Sequence, residues 1–134
     1  MTSMTNYLEK KLLDHTLGKA AYTMPAAVYV ALFKADPGEA GSTANEVGSG
    51  VGYTRQELTS RVSAADATAG TAQNTAAITF GPATDDWGTI THAGIMDAAT
   101  GGNMLFYAPL AEPKTFATGD STQYAAGGLT FQLA

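Results

Sequence analysis

The segment 26-AAVYVALFK-34 limits what this chain can fold into more than any other stretch. Its side chains follow a period of two, with Val28, Val30 and Leu32 on one side and Tyr29, Ala31 and Phe33 on the other. A strand that is apolar on both faces belongs in the middle of a sheet covered on both sides. Other strand-like stretches follow at short intervals. Tyr53 to Ser60 reads as an edge strand with Arg55 and Glu57 facing solvent, and Thr75 to Phe80 as a short strand closed by Gly81-Pro82. In 87-WGTITHAGIMD-97, Ile90, His92, Gly94 and Met96 fall on one face, against Thr89, Thr91, Ala93, Ile95 and Asp97. The turn AATGGN leads into MLFYAPL, and Thr118-Gly119-Asp120 leads into a last strand, 122-TQYAAGGLTFQL-133. Residues 35–52 and 61–75 are small and polar without an apolar period and read as loops, the first a candidate interaction loop. No β-α alternation occurs. The expected fold is therefore mainly β: a single domain over 1–134, an antiparallel β-sandwich (jelly-roll or Ig-like) of six or seven strands with one short N-terminal α-helix.

That helix is expected at about residues 5–18. Asn6 is placed to cap it, Glu9 to reach back three residues, and Gly18 to end it. Leu8, Leu12 and Leu13, with Leu17 a turn further, form an apolar stripe at helical spacing. A helix this short is marginal alone, so the stripe must rest on the domain or on a neighbouring subunit. Leu8, Leu12, Leu13 and the single tryptophan, Trp87, are accordingly the candidate interface residues, and a homo-oligomer is expected. Charged residues make up only 14% of the chain, which suits a surface partly covered by further protein.

Several function classes are disfavoured. A net charge of −5 offers no basic footprint for phosphate backbones, so no nucleic-acid partner is expected. The start MTSMTNYLEKKLLDH lacks the apolar core of a secretion signal, and Ala26–Phe33 is too short to span a bilayer, so no membrane partner is expected. The absence of cysteine removes disulfides and thiolate chemistry. His15 and His92 have no second ligand at metal spacing, which leaves no predicted metal and no predicted cofactor. His92 and Asp97 differ by an odd number of positions and leave opposite faces of a regular strand, although a bulge at Gly94 would reverse that. No G-x-S-x-G occurs, Asp85-Asp86 read as a solvated loop, and GSGVG and ATGGN precede strands and read as turns. No catalytic residues are assigned, and the chain is expected not to be an enzyme.

Taken together, NYLEKKLLDHTLG, PAAVYVALF, ADPGEAG, GYTRQ, AITFGPAT, WGTITHAGIMDAATGGNMLFYAPL and the closing GD with AAGGLTFQL resemble a family of small tailed-bacteriophage virion proteins, often labelled tail fibre, minor tail or capsid decoration. Ala93 and Met96 stand where that family usually has bulkier aromatics, and Gln56 where it commonly has a small apolar residue. The resemblance implies a non-enzymatic virion structural protein, assembled in the bacterial host cytoplasm, with the major capsid protein or tail proteins of the same phage as partners. A capsid decoration (cement) protein on the particle exterior is favoured over a small tail or tail-fibre component, because no fibrous repeat or long coiled coil is present. A carbohydrate-binding β-sandwich using Trp87 or Tyr53 is the alternative from another class.

Overall fold

The computed structural model describes residues 3–132. Among them, nine strands, β1 (Ser3–Met4), β2 (Tyr29–Phe33), β3 (Gln56–Glu57), β4 (Thr71–Gln73), β5 (Ile78–Phe80), β6 (Gly88–Met96), β7 (Met104–Phe116), β8 (Thr122–Tyr124) and β9 (Thr130–Gln132), accompany one α-helix, α1 (Asn6–Thr16). A 3-10 turn spans Thr59–Arg61. No helix is long and apolar enough to cross a membrane among the described residues.

Five strands form an antiparallel sheet in the order β1-β7-β6-β2-β3. The double-sided apolar pattern puts β2 inside it, between β6 and β3. One face of the sheet gives Val30, Leu32, Ile90, Ile95 and Phe116 to the main core, where they meet Ile78, Phe80, Tyr53, Leu58 and Trp87. The other face carries a smaller cluster of Ala31, Phe33, Met96 and Met104, with Tyr107 against it.

The opposing layer is a two-stranded ribbon broken in the middle. β4 pairs with β9 (Thr71 opposite Gln132) and β5 pairs with β8 (Ile78 opposite Tyr124). Asn74 sits at the break and is almost fully buried. Its carboxamide nitrogen donates to the carbonyls of Ala76, Tyr124 and Ala125, and its oxygen accepts from the Leu129 amide. One side chain thus satisfies backbone groups that an unbroken ladder would have paired.

Several boundaries differ from the expected ones. The helix cap is Thr5, not Asn6: its hydroxyl accepts from the Leu8 amide and also donates to the Met104 carbonyl at 2.6 Å. Gly18 follows the helix at φ +75, the left-handed position expected of it. Residues 35–52 are not a free loop, because Val47 is buried and pairs its amide with Leu32, and Phe33 bridges to Glu46. The expected loop at 61–75 contains β4, and the expected last strand is split by the turn at Gly127-Gly128.

Strand β6 departs from regular alternation. Between Ile90 and His92 its register with β7 jumps from Lys114 to Pro109, leaving residues 110–113 of β7 without partners. This bulge turns Ile90 into the main core, while His92 and Gly94 pair with Phe33 and Ala31 on the opposite face. Ile90 therefore does not share a face with His92, Gly94 and Met96.

Candidate functional site

The strongest polar constellation joins three segments far apart in sequence. Arg55, in the block GYTRQ, forms a two-pronged ion pair with Glu46: Nε donates to Oε2 at 2.8 Å and Nη2 to Oε1 at 2.7 Å. Nη1 donates to the carbonyls of Ala98 and Gly101 at 2.9 and 2.8 Å, in the turn after β6. The Arg55 and Glu46 side chains are only 6% and 14% exposed. Arg55 is thus a clamp and not the solvent-facing edge residue that the strand pattern suggested, since only Gln56 and Glu57 of that segment pair as a strand. The bonds to Glu46 raise the guanidinium above its ordinary pKa and keep it charged.

The turn that Arg55 holds is itself tightly built. Asp97 accepts from the Asn103 amide at 2.7 Å, and Gly101 and Gly102 adopt φ of +62 and +73. A side chain at Gly102 would collide with Asp97 Oδ1 and come within 2.7 Å of Ala98 Cβ. Glycine is required there by both conformation and space.

Tyr53 extends the constellation into the core. Its hydroxyl donates to Glu46 Oε2 at 2.7 Å and accepts from the Leu32 amide at 3.1 Å. Its ring stacks on Phe80 and meets the edge of Trp87. Burial, with the Glu46 carboxylate adding to it, pushes the Tyr53 phenol far above the usual tyrosine range. The folded pKa is raised above the unfolded value of about 10, so the associated stability is complete below about pH 10 and is lost as pH rises further. Denaturant titrations between about pH 8 and 11.5 should show stability falling above about pH 10, with Tyr53 contributing up to about 1.4 kcal/mol per pH unit. Tyr53→Phe should remove that share of the slope, and an unchanged slope would contradict the assignment.

A cleft of about 440 Å³ opens beside the clamp, bordered by Glu46, Tyr53, Arg55, Thr54 and Thr100. Its strongest donors are already engaged by Glu46 and by carbonyls. No buried side-chain nitrogen or oxygen lacks a partner, and no group of three or more His, Asp or Glu side chains is placed to hold a metal ion, among the described residues. What the arrangement does chemically is hold the 98–101 turn against residues 46–55.

The residues singled out from the sequence divide between core and surface. Trp87 is 2% exposed, packs on Phe116 and donates Nε1–H to the Val51 carbonyl at 2.7 Å. It is a core residue, and the interface role expected of it is corrected on that ground: its ring is already covered by its own chain. The same burial removes Trp87 and Tyr53 as an exposed sugar-stacking platform. Leu8 is also buried, Leu12 is half-buried, and Leu13 and Leu17 stand 59% and 70% exposed. Only the last turns of the leucine stripe are open to a partner.

The histidines and acids do not come together as a catalytic set. His15 Nδ1 accepts from the Tyr22 amide at 3.0 Å, and His92 Nδ1 bonds the Thr91 hydroxyl at 2.8 Å. His92 Nε2 lies 4.0 Å from Asp36, while Asp97 is engaged with Asn103. Asp86 accepts from the Thr118 amide, tying two loops. The Glu46–Arg55 pair was missed by sequence reasoning. Its one signal was an arginine between Tyr53 and β3 in a chain with just seven basic residues, and nothing in the spacing names Glu46 as the acceptor.

The model of the family described as podophage GP4 fiber I protein gp80 matches residues 3–132. No curated protein matches the chain.

Proposed function

The chain belongs to the family of the podophage GP4 fiber I protein gp80, a phage virion structural protein family, and from that premise we propose that it is a non-enzymatic building block of the virion's fibre apparatus. The observation that carries this reading is the extent of the match, which spans the whole described structure and includes the clamp, the hairpin and the helix. The clamp supports it chemically. Its charged groups are consumed in fixing loops to one another, as suits a rigid part that is used in many copies. Copies are proposed to associate through the exposed end of the leucine stripe, with other virion proteins as neighbours.

A second placement, decoration of the capsid exterior, draws on the shape of the chain: α1 has eleven residues and no long coiled coil is present among the described residues. Gold-labelled antibody against the protein, imaged on intact particles, should mark the fibres. Label spread over the shell and absent from the fibres would overturn the fibre reading in favour of decoration. Particles without any label would remove both.

A further inference from the structure

The structure leaves an apolar knob and an apolar groove on the same molecule, and we propose that the Leu13–Leu17 edge of one copy docks in that groove of a second copy. This deepens the oligomer reading above and rests on it. Leu13 and Leu17 lie one turn apart and are 59% and 70% exposed, an apolar pair standing in water at the end of the helix. The groove holds about 300 Å³ and is walled by Val28, Val62, Ala72, Leu105, Phe106 and Phe131, where the ribbon and the sheet part. A cavity of about 150 Å³ accepts a benzene-sized group, so this one has room for two leucine side chains.

Charge selects a second copy's groove over a second copy's helix. Residues 6–19 carry Lys10, Lys11 and Lys19 against Glu9 and Asp14, a net +1 on a chain of −5, which leaves −6 on the remainder. Two helices packed face to face would each bring the same net +1 to the contact. Seated in the groove, the helix instead meets a surface where Glu57 and Asp66 adjoin the lining residues Leu58 and Ala65 and outnumber Arg61 beside Val62. Like charges are kept apart and opposite ones brought near. The knob alone covers less than the roughly 800 Å² per partner of a standard interface, so the contact is reversible and concentration-dependent.

Sedimentation velocity on the whole chain tests this with two surface variants, Leu13→Glu/Leu17→Glu in the knob and Ala65→Lys at the exposed groove wall, with circular dichroism to verify folding. Ala72→Lys serves as a second groove variant. Wild type should associate with rising concentration, and each variant alone should associate at least about tenfold more weakly, equivalent to a loss of about 1.4 kcal/mol. An equal mixture of knob and groove variants should recover association as a 1:1 complex, because one intact knob then meets one intact groove. Wild-type association that both groove variants leave unchanged, or a mixture that stays monomeric, overturns the docking mode and leaves oligomer formation standing. A monomeric wild type overturns both, and neither result touches the placement on the particle.

Discussion

Trp87→Ala should destabilise the protein by about 3–5 kcal/mol, the largest loss expected from a single replacement in this fold. The indole is 2% exposed, lies 4.9 Å from the Phe116 ring and 5.7 Å from Tyr53, and holds the Val51 carbonyl through Nε1. Alanine would leave a cavity at the meeting of β6, β7 and the 46–55 segment, and would take one of two donors from the Val51 carbonyl, which keeps the Thr84 amide. Trp87→Phe keeps most of the contact area and should cost less, the remainder reflecting the lost hydrogen bond and the smaller ring. Urea denaturation followed by circular dichroism checks both. A loss below about 1 kcal/mol for Trp87→Ala would mean that the site is open to water or collapses freely.

Arg55→Ala is the second large effect, with an expected loss of about 3 kcal/mol. Removing the guanidinium leaves the Glu46 carboxylate largely out of water without its partner, and frees the carbonyls of Ala98 and Gly101. The cleft beside the pair gives water some access, so the lower end of the range for broken buried pairs applies. Glu46→Leu combined with Arg55→Met should be milder than the sum of the two single changes, because neither charge is then stranded. Additive losses would show that the pair acts as two independent surface groups. Hydrogen exchange in the Arg55→Ala variant should rise first in the 98–103 turn, which loses its anchor.

What could be read from the sequence was local and periodic. β2 is central and buried on both faces because its apolar residues alternate without interruption. The β6–β7 hairpin forms where Asp97 and the two glycines place it. Gly18 takes the left-handed position just past the helix for the same kind of reason. Features set by distant partners were not legible. Ile90 enters the main core because β7 carries unpaired residues across from Thr91, which β6's own pattern does not encode. Asn74 looks like one more polar residue in a loop, yet it is buried because four backbone groups from two segments converge on its carboxamide. The candidate site follows the same division. Helical spacing grouped Leu13 with Leu8 in one stripe, yet the domain buries Leu8 and leaves Leu13 in water, and Arg55 acquires its role from Glu46 and from a turn more than forty residues away.

The seating of Thr5 sets an order on synthesis. Its amide donates to the Leu105 carbonyl and its hydroxyl to that of Met104, so the start of the helix is fastened to a strand made about a hundred residues later. A nascent chain emerging from the ribosome carries α1 long before its berth exists, and an eleven-residue helix does not persist by itself. Chain closure therefore waits for β7, which favours slow, late consolidation over early helix formation. Until then Leu8, which the finished domain buries, stays in water.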